Sequence, residues 1–164
     1  MSHPSGLPAD PNPRGTCGTC AWSHGSASLV CLAAAPSATW DGPEVGHETP
    51  GCAYFEAPVH CDPCGACCRE AFDSVPVAQC DEATARARPE FIQVAKDGWR
   101  DLKRVPSPTG QGTRCAALRG SGAQDAPFRC VMYLDRPSPC RDLMPNTPNC
   151  LFARRRVGLS PGSA

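Results

Sequence analysis

Thirteen of the 164 residues are cysteine, and four of them, Cys61, Cys64, Cys67 and Cys68, stand in the single run CDPCGACC. So short a segment cannot bury four thiols away from one another. Either disulfides or metal thiolates must use them, and the compartment decides which. The opening, MSHPSGLPADPNP, has no basic stretch followed by an apolar run, so no secretory signal is expected there. No stretch approaches the ~18 apolar residues that a membrane span needs. The expected setting is therefore a reducing cytoplasm, where thiols stay available for metals. An odd cysteine count also fits poorly with complete internal pairing. Metal–sulfur bonds are the expected framework.

Composition points the same way. With 19 proline and 15 glycine residues, long regular elements are few. Three Trp, two Tyr and five Phe build a thin core, and thin cores need staples of another kind. The fold class expected is small, irregular α+β, metal-stabilised, with short strands and one or two amphipathic helices around the cysteine clusters. Sixteen basic residues balance 16 acidic ones, which gives no reason to expect nucleic acid or an anionic membrane as partner. Arg154, Arg155 and Arg156 are too short a run to change that; a solvated terminus or a helix-end charge cluster is expected of them.

Residues 1–16 are rich in Pro, Gly, Ser, Asp and Asn without periodicity, and a disordered leader is expected. A small four-cysteine, zinc-like module is expected over 17–58. Cys17 and Cys20 form a C-x2-C pair that turns tightly enough to place both sulfurs on one ion, and Cys31 and Cys52 complete a tetrahedral set. The wide gap between Cys31 and Cys52 departs from common zinc-ribbon spacing, and His47 within it is an alternative ligand. The rival reading is a redox-inert hairpin with two paired and two buried thiols. Tyr54 and Phe55 are expected to supply apolar packing beneath the module, and His60 stands beside Cys61, within sequence reach of a hydrogen bond to a thiolate.

From residue 59 to 158 a second, cysteine-cluster metal-binding domain is expected, with 159–164 as a tail. Cys61, Cys64 and Cys67 repeat every three residues, as in bacterial ferredoxins, although the usual C-P ending is absent. Adjacent side chains diverge in helix and strand alike, so Cys67 and Cys68 are expected to serve different centres. The segment AFDSVPVAQC reads as a short edge strand ending at Cys80, and Asp81 as the N-cap of a helix. A second helix is expected from Pro89 through Arg104, with Phe91, Ala95, Trp99 and Leu102 forming one apolar stripe. Short strands are expected at CAAL, opened by Cys115, and at PFRCVMYL, which contains Cys130. Cys140 and Cys150 follow in Pro-rich loops.

The phrases CDPCGACCR, CAAL and CVMYLDRPSPCR together resemble the YkgJ-type cysteine-cluster (CxxCxxCC) proteins, a bacterial family of domains described as zinc- or iron-chelating. On that resemblance the matching positions are Cys61, Cys64, Cys67, Cys68, Cys115, Cys130, Tyr133, Arg136, Pro137, Cys140 and Arg141, with Cys150 as a further downstream cysteine. It implies Zn²⁺ or an iron–sulfur cluster as cofactor and does not choose between them. The eight cysteines of this region make two sets of four, those of the N-terminal module a third, and Cys80 is left over. Arg136 and Arg141 flank Cys140 and are placed to offset thiolate charge.

Two functions follow from these readings. One is an electron-transfer or metal-handling accessory whose central thiolates do the work, with metal ions as partners. The other is a zinc-stapled adaptor without redox activity. An enzyme with a cysteine nucleophile would need a cysteine–histidine pair, and among His3, His24, His47 and His60 only His60 offers a candidate base. No catalytic motif is recognised, and no Gly-rich nucleotide loop follows a strand.

Overall fold

The computed structural model describes residues 2–35, 41–60 and 64–160. Its strands are β1 (Ser23–His24), β2 (Leu29–Cys31), β3 (Glu44–Val45), β4 (Ile92–Val94), β5 (Arg100–Leu102), β6 (Arg104–Pro106), β7 (Thr113–Cys115), β8 (Leu118–Arg119) and β9 (Arg129–Cys130). Its α-helices are α1 (Glu82–Ala87), α2 (Ser138–Asp142) and α3 (Pro148–Arg156). Small, irregular α+β architecture is thus what the composition produces. Two units divide the chain: Met1–Val59 with Pro145–Ala164, and His60–Met144.

In the first unit, β1, β2 and β3 form an antiparallel sheet in which Ser23 pairs with Cys31 and Leu29 with Val45. Their inward residues join Trp22, Leu32 and Leu151 in one apolar cluster, together with Cys17 and Cys31. Proline at the start of α3 suits its first turn, where an amide would lack a partner anyway. The helix buries Leu151 and Ala153, and Phe152 meets Trp22 edge to face at 5.6 Å. The terminal arginines fold back onto this unit. Arg154 pairs with Glu56 at 2.6 Å, and Arg155 lies 4.2 Å over the Trp22 ring. They form a helix-end cluster turned onto the protein, because Glu56 also accepts the Trp22 indole N–H and so anchors both. Tyr54 packs against the core as expected, and Phe55 is buried.

The leader departs from expectation. Residues 2–16 are held by bridges Ser2–Pro8, Ala9–Cys52 and Thr16–Pro50, with His3 and Ser5 buried and Leu7 against the core. Backbone pairing to residues 50–53 gives this polar stretch partners that no local periodicity announces.

The second unit is a set of three hairpins, β4–β5, β6–β7 and β8–β9, with α1 and α2. Its core is Val77, Leu102, Cys115, Ala117, Leu118 and Met132. The helix expected over 89–104 is a single 3₁₀ turn, Pro89–Phe91, followed by the β4–β5 hairpin. Gly98 at φ +85° is the reason: it reverses the chain after Asp97, whose carboxylate accepts the Trp99 amide. The would-be stripe is split accordingly, with Leu102 buried and Trp99 58 % exposed. AFDSVPVAQC follows β5 through one bridge, Pro76–Asp101, rather than as a full strand. Cys115 ends β7 instead of opening a strand, and the strand in PFRCVMYL shrinks to Arg129–Cys130 before a 3₁₀ turn at Tyr133–Asp135.

Asp81 does precede α1, but its side chain does not cap that helix. It is buried and accepts the Ser138 amide and hydroxyl, each at 2.8 Å, and Arg141 at 3.2 Å. The carboxylate thereby satisfies an orphan amide at the start of α2, the helix that carries Cys140.

Candidate metal centres

Gly65, at φ +62°, turns the chain into a 3₁₀ turn, Ala66–Cys68. Phe128 lies so close to Gly65 that a Cβ there would come within 2.8 Å of it, so only glycine fits. This tight turn places the Cys67 and Cys68 sulfurs 3.9 Å apart. Adjacent side chains were expected to diverge toward different centres; the turn instead brings them together. Cys115 arrives on β7, Cys130 on β9 and Cys140 on α2. Buried Cys115 belongs to the apolar core, and Cys68, Cys130 and Cys140 pack against it. Cys64 is half-buried just before the turn. Cys61 lies outside the described residues.

These thiols feel one another. Burial pushes the Cys140 thiol up to about 12, with the charges of Cys67, Cys115 and Cys130 adding to it. Burial likewise raises Cys130, against the amide of Met132, which favours its thiolate. Within the vicinal pair, the contact between the two sulfurs holds Cys67 low, aided by Arg136, and Cys68 high. The attraction of a cation outweighs these repulsions, since it favours all the thiolates at once. None of the described cysteines is in a disulfide. Among the described residues no three His, Cys, Asp or Glu side chains are arranged, as they stand, to hold an ion. The donors are gathered in one neighbourhood without forming a closed shell.

The first unit gathers the other set. Cys17, Cys31 and Cys52 are buried and Cys20 is half-buried. Burial raises Cys17 to about 11, with Cys20, Cys31 and Cys52 each adding to it. Cys20 and Cys52 are also raised by burial, against amide donors from Trp22 and Glu56 to the one and from Tyr54 to the other. His47 hydrogen-bonds the Ser26 carbonyl at 2.9 Å. Cys150, grouped by sequence with the central cysteines, lies buried on α3 in this first unit instead. Of the eight cysteines grouped by sequence, six, Cys64, Cys67, Cys68, Cys115, Cys130 and Cys140, are described in the second unit. Cys80 is exposed, its sulfur 3.9 Å from the Ser138 hydroxyl.

Sequence reasoning missed His3, whose Nε2 lies 3.4 Å from Cys17 Sγ, and the Asp81–Ser138 contact that seats Cys140. Neither has a local signal: the first pair is separated by 14 positions and the second by 57.

A family model described as "CxxCxxCC: Putative zinc- or iron-chelating domain" matches residues 60–155. The chain belongs to this family. Its CxxCxxCC region contains the central run, Cys115, Cys130, Cys140 and Cys150, and leaves Cys17, Cys20, Cys31 and Cys52 outside. No curated protein matches the chain, and no solved structure does. The thiol set of the second unit fits the metals that the CxxCxxCC description names, because soft sulfur donors select zinc or iron–sulfur clusters. Among the described residues no helix is long and apolar enough to cross a membrane.

Proposed function

We propose that the protein is a metal-handling or electron-transfer accessory that works through a thiolate centre in the second unit. Cys64, Cys67, Cys68, Cys115, Cys130 and Cys140 are its sulfur donors, and Cys61 joins them by its place in the run. One observation carries the reading: four separate segments deliver Cys67, Cys68, Cys115, Cys130 and Cys140 into mutual electrostatic reach. Cysteine can also serve as an inert small hydrophobe. Inert thiols, however, gain nothing from the Met132 amide directed at Cys130 or from Arg136 beside Cys67.

The Cys67–Cys68 separation bears on the metal. Two sulfurs on one tetrahedral ion with Zn–S bonds of about 2.3 Å stand roughly 3.8 Å apart, close to the 3.9 Å seen. Such a bite suits a single zinc or the two-sulfur end of a [2Fe–2S] cluster. It does not suit a cubane, whose irons take one cysteine each. A resident ion supplies charge neutralisation for the thiolates and, if iron, a redox couple. The protein's residues position the sulfurs, stabilise them by N–H donation and shield them in an apolar setting. Thiolates of this kind persist in a reducing cytoplasm, the compartment this reading implies.

A second reading, a zinc-stapled adaptor, draws on the β4–β5 hairpin. There Trp99 and Val94 are 58 % and 66 % exposed, and Trp99 lines an open groove of about 550 Å³ with Pro76 and Val77. Anaerobic purification, elemental analysis and an absorption spectrum separate the two. Iron with acid-labile sulfide and visible absorption selects electron transfer or iron handling; zinc alone in a colourless protein selects the adaptor. Cys64→Ser and Cys130→Ser should each release metal. Unchanged metal content in both variants rejects the centre.

A further inference from the structure

We propose that the first unit holds a metal ion of its own on the thiolates of Cys17, Cys20, Cys31 and Cys52, with His3 as a positioning hydrogen-bond donor to Cys17 rather than a ligand. This site lies outside the stretch that the family covers and stands independently of the centre in the second unit.

Backbone pairing brings together the segments that carry the four cysteines. The Cys17 amide donates to Thr49 at 2.8 Å and the Gly18 amide to His47 at 2.9 Å, laying the C-x2-C turn along residues 47–52. Register places Cys31 opposite Ser23, three positions after Cys20, and the Ala9–Cys52 bridge fixes the fourth. Cys17 and Cys31 share the apolar cluster, and Cys20 packs against it.

Backbone donors meet two of the sulfurs, and His3 meets a third. Cys20 receives the amides of Trp22 and Glu56, and Cys52 that of Tyr54. Two of these come from position i+2, so the chain curls around the sulfur and presents its N–H inward. Arg155 lies within reach of the Cys31 charge. Four thiolates on a divalent ion carry a net charge of −2, which these donors and the guanidinium offset. Buried thiols filling space would need none of them.

The histidine is the decisive detail. His3 is 6 % exposed. Its Nδ1 accepts the Ser5 amide at 3.1 Å and lies 2.6 Å from the Ser5 hydroxyl. An accepting Nδ1 carries no proton, so the proton of the neutral ring is on Nε2. That nitrogen is 3.4 Å from Cys17 Sγ, a donor aimed at sulfur. A metal ligand would need the opposite tautomer. Each cysteine gives up its thiol proton to solvent as the ion binds, and side-chain rotation brings the four sulfurs onto it.

Native mass spectrometry of the full-length protein, loaded anaerobically with zinc, counts the ions. Cys31→Ser should lose one zinc while keeping the metal of the second unit; Cys67→Ser should show the reverse, so failure of either site is seen separately. Loaded with ¹¹³Cd²⁺, the wild-type chain should give a tetrathiolate NMR resonance coupled to the β-protons of Cys17, Cys20, Cys31 and Cys52. This second measurement does not depend on a variant that folds. His3→Ala should keep the ion and its four-sulfur cobalt spectrum but release zinc about tenfold faster, in line with losing an outer hydrogen bond. Zinc counts unchanged in both Cys31→Ser and Cys52→Ser, or no such cadmium resonance, overturns the site. A wild-type cobalt spectrum of three sulfurs and one imidazole, lost in His3→Ala, overturns the role given to His3.

Discussion

Asp81 accepts two hydrogen bonds from Ser138, 57 residues away, through a carboxylate with no exposed surface. That contact fixes the start of α2 and with it the backbone that presents Cys140. Asp81→Ala leaves the Ser138 amide and the Arg141 guanidinium without this acceptor, and should destabilise the second unit by about 2 kcal/mol. Urea unfolding measures the loss, and a zinc competition assay should show weaker binding at the second unit.

The same carboxylate predicts an acid response. Burial alone would raise its pKa, but the Ser138 hydroxyl and amide together with Arg141 outweigh burial and hold it below the ordinary 3.8. A depressed carboxylate stabilises the fold above its unfolded pKa, and that contribution disappears as pH falls through the lower folded value. Metal-free wild type should therefore lose stability below about pH 4, and Asp81→Asn should lose less over the same window. Melting temperatures across an acid series test this.

Thiols give the opposite sign at the alkaline end. Cys17 and Cys140 are raised from 9.0, to about 11 and about 12. A group with a raised folded pKa stabilises below its unfolded value and loses that contribution as pH climbs toward the folded one. The metal-free chain should weaken above about pH 9, whereas the loaded protein, whose thiolates are bound, should not. Because these thiols are protonated at neutral pH, zinc binding should release protons, and calorimetry in buffers of different ionisation enthalpy counts them.

Gly98→Ala discriminates hairpin from helix. In a helix the change would stabilise by ~1 kcal/mol. At φ +85°, with no atom within 4 Å of the added Cβ, it meets no clash but carries left-handed strain. The expected outcome is a loss of about 1 kcal/mol, read from the midpoint of denaturant unfolding.

Glu56→Ala removes the partner of Arg154 and of the Trp22 indole together, both largely shielded from water. Loss of one member of a buried pair costs about 3 kcal/mol. Thermal unfolding of the first unit should show it, with Glu56→Gln milder because the amide oxygen still accepts the indole N–H.

Much of the chemistry was legible early. Few aromatics and abundant Pro and Gly lead to short elements, and soft donors at C-x2-C spacing to the expectation of a metal-chelating chain, without reference to any fold. The apolar stripe through Phe91, Ala95, Trp99 and Leu102 misled because helical spacing also arises by chance across a turn, and Gly98 with Asp97 outweighed it. The leader misled for a different reason: its partners are residues 50–53, and backbone pairing of that range leaves no periodic trace.

Residue types alone pointed to a zinc- or iron-chelating chain whose elements are short, since both follow from donor chemistry and local conformational preference. Only the tertiary structure decided which cysteines share a unit. It sent Cys150 to α3 with the N-terminal set, drew Cys67 and Cys68 onto one side, and turned His3 toward Cys17. Those outcomes depend on strand register and on single torsions such as that of Gly65, and order along a chain does not encode distance across it.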